Sequence, residues 1–301
     1  MAEEHWPYRR IKRPPRMQVW LDGKFLFEED PIFSLADWNS AFHIGFKVLF
    51  RAYGSELRHF NRYYKHLEAC LTQSQFPSFA FLSGDMIRHT ANALLQKNRH
   101  PRNALISATF FLRSRPDTND AMPWTTSLLL EAEGLSGQFF DPQIPPAVIV
   151  SYKELRRNVD PFSAVNWLGI PAIRFAMLYA RQHGCTDSLL YDNNDFLLQT
   201  AERHIYCLKD NIVFTPPLSQ GLVQDPFREI LATAILQGGY RIVEKALTKE
   251  NFLEAEEIFM GSTRYGIEPV KRLDNKIIFG EHRRVRELIK ILNTLFFNEL
   301  Q

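Results

Sequence analysis

The sequence predicts a fold of the α+β class in two domains. Three observations carry that expectation. A chain of 301 residues is long enough for two domains and a large core. Its second half is a regular series of short strand signals and helical runs. Between the halves lies SGQFFDPQIPP, residues 136–146, whose Pro142, Pro145 and Pro146 mark a domain boundary. The expected organisation is a basic arm over 1–16, a small N-terminal α/β domain over 17–142 and a larger C-terminal domain over 147–301.

The elements follow in order. VWLDGKFL reads as a hairpin turning on Asp22-Gly23. LRHFNRYYKHLEACLTQS and SGDMIRHTANALLQKN suit helices, the second capped by Ser83 or Asp85. ALISATFFL and TSLLLEA are strand-like, as is AVIVSY (147–152), which precedes a polar turn, DPFSAVNWLG, and the helical run IPAIRFAMLYARQ. DSLLY, FLLQ, HIYCLK and IVFTP are short strands, with turns at Asp192–Asp195 and Asp210-Asn211. A helix is expected from Pro226 to Gln237, closed by Gly238-Gly239. RIVEKAL and EEIFMG read as strands, and Val285 to Leu300 as a final amphipathic helix.

Composition excludes several functions. Hydrophobic residues at 45% and charged residues at 23% are ordinary soluble-globular values. A net charge of +2 provides no field for nucleic acid. No run of eighteen apolar residues suggests a membrane span, and the basic N-terminus lacks the apolar core of a secretory signal. Cys70, Cys185 and Cys207 show no paired spacing, which fits reduced thiols and a cytoplasmic location. The nine histidines have no metal-ligand spacing, so no metal is expected. GxSxG, HExxH, P-loop and GxGxxG motifs are absent.

The second half carries a more specific pattern. NWL is followed by DSLLYD, by HIYCLKDNIVFTPPLSQGL, and by AEEIFMGSTRYGIEPV. This series resembles the class IV aminotransferase family, the fold-type IV enzymes that use pyridoxal phosphate. That family includes branched-chain and D-amino acid aminotransferases and aminodeoxychorismate lyase. VWLDGKFL, SLADWNSAFHIGFKVLF and KHLEACL extend the resemblance over roughly residues 17–301. It implies a two-domain, D-amino acid aminotransferase-like architecture assembled as a homodimer.

The resemblance also implies site positions, and this chain departs from most of them. The family's Schiff-base lysine lies three or four residues before the Asn of an Asn-aromatic pair, here Asn166-Trp167, which puts Ser163 (or Phe162) in its place. No lysine occurs between Lys153 and Lys209, leaving Lys153 as the displaced-lysine candidate. The acid that faces the pyridine nitrogen is replaced by Gln199, and His204 stands in place of the usual Asn. The Gly-Ile-Thr run that cradles phosphate reads Asp225-Pro226-Phe227, in which Pro226 has no N–H and Asp225 would cap the helix with its own carboxylate. With His66 as reference, the phosphate arginine falls at Ala69. Thr263 remains as a phosphate-contacting candidate, and Trp167 stands where a cofactor-facing tyrosine is common.

A Schiff base needs an amine. The expectation is therefore a homologue that has lost catalysis, with no cofactor, binding another small ligand in the cleft between its domains. The alternative is an active pyridoxal-phosphate aminotransferase or lyase for a small amino acid, served by Lys153. A third reading is partner binding through RRIKRPPR in the arm.

Overall fold

The computed structural model describes residues 16–31, 44–77, 83–100, 102–114, 124–135, 137, 140–277 and 281–298. The basic arm up to residue 15, all of SLADWNSAF, and residues 136, 138 and 139 of the proline-bearing segment lie outside them. The described residues fall into two compact units. One takes residues 140–164 and everything from Ile170 onward, and the other takes the preceding chain together with Val165–Gly169.

The N-terminal unit is built on an antiparallel sheet with the order β2-β1-β6-β5-β3-β4. Its strands are β1 (Gln18–Leu21), β2 (Lys24–Phe27), β3 (Gly45–Tyr53), β4 (Glu56–Leu57), β5 (Asn103–Ser114) and β6 (Trp124–Gly134). The first hairpin turns where expected. Asp22 and Gly23 both adopt positive φ, 45° and 97°, the geometry that twists with the strands it joins. Helix α1 (Phe60–Ser74) turns Tyr63, His66, Leu67 and Cys70 inward, and α2 (Gly84–Lys97) is capped by Ser83, whose hydroxyl accepts from Met86 N at 3.1 Å. Strand β3 was not anticipated. It pairs with β5 over nine positions and centres the core on Phe46, Phe50, Ile106 and Phe110.

Five residues from later in the chain join this unit. Leu168 N donates to Gly45 O at 2.8 Å and Lys47 N to Asn166 O at 3.0 Å, so Val165–Gly169 lies against the start of β3.

The second unit carries a mixed sheet ordered β12-β11-β10-β13-β14-β7-β8-β9, with β15 (Lys276–Ile277) on β14. Its strands are β7 (Ala147–Ser151), β8 (Asp187–Tyr191), β9 (Leu197–Thr200), β10 (His204–Lys209), β11 (Ile212–Thr215), β12 (Arg241–Glu244), β13 (Glu257–Ser262) and β14 (Gly266–Leu273). Strands β7 and β8 are parallel, as are β11 and β12, and each pair is joined through a helix, α3 (Pro171–Gln182) and α4 (Phe227–Gln237) respectively. Strands β8, β9 and β13 are buried along their whole length, as a sheet covered on both faces requires.

Helix α3 packs on this sheet through Ala172, Ala176 and Ala180, spaced four apart so that one small-residue face meets the strands. The last helix, α6 (Arg283–Asn298), buries Val285, Leu288, Ile289, Leu292 and Phe296 on one stripe. Two local differences from the expected elements stand out. RIVEKAL is a strand only over Arg241–Glu244, and a short helix α5 (Lys249–Leu253) follows, opened by a reciprocal capping box between Thr248 and Asn251. Pro269 sits inside β14, opposite Phe259 of β13, and the ladder to β7 starts one residue later, at Val270. The α+β expectation holds. Among the described residues, no helix is long and apolar enough to cross a membrane.

Candidate functional site

In the second unit Gln199, His204 and Thr263 meet one loop, Gly221–Asp225, which links a short 3-10 turn (Leu218–Gln220) to α4. Gly221 has φ of 87°, and a side chain there would meet Asn158 O at 3.3 Å, so the loop begins with close backbone contact. Gln199, at the end of β9, accepts from Val223 N at 2.8 Å and donates to Thr200 O at 3.2 Å. His204, at the start of β10, donates from Nε2 to Val223 O at 2.7 Å. Gln224 N donates to Ala164 O at 2.8 Å, tying the loop to the turn that carries Ser163.

The last residue of the loop makes the most consequential contacts. One carboxylate oxygen of Asp225, Oδ2, accepts from Thr263 N at 2.8 Å. The other, Oδ1, accepts from Thr263 Oγ1 at 2.5 Å and from Phe227 N at 2.9 Å. The cap chemistry expected of Asp225 is therefore present and is shared with Thr263, which lies beyond the end of β13. Arg228, the second residue of α4, is buried and donates to Thr215 Oγ1 at 3.2 Å, Pro216 O at 2.7 Å and Glu244 Oε1 at 2.7 Å.

Burial sets the protonation of this region. It lowers the His204 pKa to about 4, reinforced by the nearby Arg228 charge and opposed by Asp225. A neutral imidazole that donates from Nε2 is therefore the resting form. Burial also raises the Tyr206 phenol well above its ordinary range, so it stays protonated. Cys70 and Cys207 are pushed up to about 12 by burial and are not thiolates at neutral pH.

Ser163 occupies a closed turn. Its hydroxyl donates to Asn158 O at 3.1 Å and accepts from Asp160 N at 3.0 Å, and the residue is buried. Both partners are backbone groups, so no base stands in the hydroxyl's hydrogen bonds to activate it. The neighbouring Phe162 is exposed. Lys153 is held elsewhere. Its ammonium lies 3.8 Å from Asp195 Oδ1 and 5.0 Å from the centre of the Tyr191 ring, with half of the side chain in solvent.

The other two candidates belong to the N-terminal unit. Trp167 packs edge-on against Phe46, ring centres 6.0 Å apart, and at 6.3 Å from Phe76. Ala69 is exposed on α1, whereas His66 points inward, with its Nε2 3.5 Å from Cys70 Sγ. The position at which the resemblance puts the phosphate arginine therefore carries an exposed methyl group, with neither charge nor donor.

Sequence reasoning missed a buried ionic group in the second unit. Arg203 meets Asp187 and Glu268, all three almost wholly removed from solvent, while the guanidinium lies 3.7 Å from the centre of the Tyr265 ring. A charged residue in the turn between two strands gives no local sign that it will be buried. Among the described residues, no group of three or more His, Cys, Asp or Glu side chains is placed to hold a metal ion.

The mixed sheet with α3 and α4 as crossovers, and the loop before α4 held by residues of β9 and β10 and by Thr263 after β13, have the architecture of the fold-type IV enzymes, on whose solved structures the chain superposes. Residues 58–273 match the family described as amino-transferase class IV, and the chain belongs to that family. A branched-chain-amino-acid aminotransferase of Salmonella typhimurium is 30% identical over 104 residues, which are 35% of this chain and 33% of that protein. The chain thus spans about a third of that relative's length. A D-alanine aminotransferase of Staphylococcus epidermidis is 20% identical over 281 residues, 86% of this chain and 90% of that protein. The branched-chain amino acid aminotransferase of Thermobaculum terrenum in its PLP-form superposes with a TM-score of 0.80 at 14% identity, covering 94% of this chain and 95% of that one.

These comparisons correct one expectation. An absence of cofactor does not accord with a family whose solved members include a PLP-form, so pyridoxal phosphate is the group against which the site is measured. The residues present do not fit its attachment through a lysine at 163 or its anchoring by free donors at the start of α4. Ser163 supplies no amine, and the Asp225 carboxylate already holds Thr263 N, Thr263 Oγ1 and Phe227 N.

Proposed function

We propose that this chain is a class IV aminotransferase homologue that has lost lysine-dependent transamination. The observation that carries the reading is Ser163, whose buried hydroxyl has two backbone partners and no base. A hydroxyl cannot replace the amine of a Schiff base. Gln199 supports the reading, because a neutral amide that accepts from Val223 N and donates to Thr200 O cannot hold a pyridinium by charge. A homodimer in the cytoplasm is part of the same proposal.

The competing reading is an active enzyme that uses Lys153. Its ammonium would have to leave Asp195 and Tyr191. The deciding experiment incubates the purified full chain with excess pyridoxal phosphate, reduces it with borohydride and reads intact mass alongside the visible spectrum. No adduct at Lys153 and no turnover of small amino acids is the expected result. A stoichiometric adduct at Lys153 that is lost in Lys153→Met would overturn the proposal. Light scattering tests the dimer, and a monomer at micromolar concentration would count against it.

A further inference from the structure

We propose that Asp225 is an internal anion, a carboxylate that fills an oxyanion site made by the start of α4 and the residue after β13. Three donors from two separated parts of the chain converge on it: Phe227 N, Thr263 N and Thr263 Oγ1, at 2.9, 2.8 and 2.5 Å. Both carboxylate oxygens are used. This inference rests on hydrogen-bond geometry around position 225 and is independent of the missing amine at 163.

The geometry follows from the local sequence. Pro226 has no N–H, so the first helix amide available to an anion is that of Phe227, and Asp225 takes it from two residues upstream. A carboxylate at the positive end of a helix of eleven residues is favoured by the helix dipole. Thr263 is buried, and the same carboxylate accepts from its amide and its hydroxyl together. Hydrogen bonds to an ionised acceptor are roughly twice as strong as neutral ones. The arrangement is therefore both satisfied and locked.

A tetrahedral oxyanion, whether inorganic phosphate or the phosphate of an ester, needs these same donors. It reaches them only by displacing a covalently attached competitor of like charge. Repulsion between charges about 4 Å apart in a partly shielded site, together with the loss of donors, weakens such binding by roughly ten- to a thousandfold. Asp225 is thus a selectivity device: it closes this end of the site to phosphate groups while keeping the helix start capped.

The test compares the full chain with Asp225→Ala and with the double variant Asp225→Ala, Thr263→Val. Each is titrated with inorganic phosphate against chloride at matched ionic strength, by calorimetry and by thermal unfolding. The expected result is no phosphate-specific response in the natural chain, binding at least about tenfold tighter in Asp225→Ala, and loss of that gain in the double variant. Equal phosphate affinity in the natural chain and Asp225→Ala would overturn the proposal, as would a folded Asp225→Ala that gains nothing. Should Asp225→Ala fail to fold in chloride, refolding in phosphate is the readout: recovery supports the proposal, and failure in both buffers overturns it. The borohydride experiment reads an amine and this one reads an oxyanion, so either inference can fail alone.

Discussion

Arg203 donates from Nη1 to Asp187 Oδ2 across 2.6 Å, with both side chains almost completely removed from water. The same carboxylate accepts from Thr200 Oγ1 at 2.7 Å, Ser188 N at 2.7 Å and Ala201 N at 3.0 Å, so one aspartate joins the ends of β8 and β9. Glu268 lies 3.2 Å from Arg203 Nε on the other side, and burial raises its carboxyl pKa despite the arginine. Replacing Arg203 with Met leaves two buried carboxylates without their cation. The expected loss is about 3–5 kcal/mol in urea unfolding, and a loss under about 1 kcal/mol would mean that the group is not buried as described.

The pH dependence follows from His204. Its pKa is depressed to about 4 in the folded chain, against an ordinary value of about 6.5. Above the unfolded value both states are neutral there and the group costs nothing. As pH falls, the unfolded chain takes up a proton first, so stability declines between about 6.5 and about 4, and the penalty levels off below that range, where both states are protonated. The contribution is on the order of 3 kcal/mol. His204→Gln should flatten this part of the stability–pH curve; an unchanged slope would place the acid sensitivity on other groups.

Restoring the amine is not expected to restore the enzyme. Ser163→Lys removes a hydroxyl that closes the Asp160–Ser163 turn, and it leaves Asp225 in place at the start of α4. Amino-acid turnover should remain at background in Ser163→Lys. It should rise, if at all, only when Asp225 is also replaced. Robust turnover from Ser163→Lys alone would show that the Asp225 contacts are no barrier.

Lys153 makes a half-exposed ion pair with Asp195, whose carboxylate also takes Arg156 at 2.6 Å. Exposed pairs are worth about 0–1 kcal/mol. Lys153→Met should therefore leave chemical-denaturation midpoints nearly unchanged and should not alter the mass found after borohydride treatment. A large fall in stability would contradict its surface placement.

Gly266 admits no side chain. Its φ is +70°, and a Cβ would lie 2.0 Å from Phe140 Cδ1, itself packed edge-on against Phe296. Backbone strain and overpacking combine, so Gly266→Ala should cost at least about 2–3 kcal/mol. Thermal unfolding within a degree of the natural chain would refute that contact.

Much of the fold was legible because its signals are local. Asp22-Gly23, Ser83 and the short strands from Asp187 to Thr215 each declare themselves within a few residues. Strand β3 went unread because GFKVLFRAY is buried on both faces over most of its length and lacks the alternation of a half-exposed strand. The capping role of Asp225 was legible from Asp-Pro at a helix start, but its second partner lies 38 residues away and could not be. The inward face of α1 was legible from the spacing of Tyr63, Leu67 and Cys70, and Ala69 lies off it. The burial of Arg203 had no sequence signal at all.

The loop Gly221–Asp225 has one last consequence. It belongs to no helix or strand, yet Val223 and Gln224 each send their amide to an acceptor fixed elsewhere in the unit, Gln199 and Ala164. In deuterium exchange, connecting segments usually label fast. Here those two amides should label slowly, on the timescale of the strands to which they are tied. By that clock the loop is part of the core.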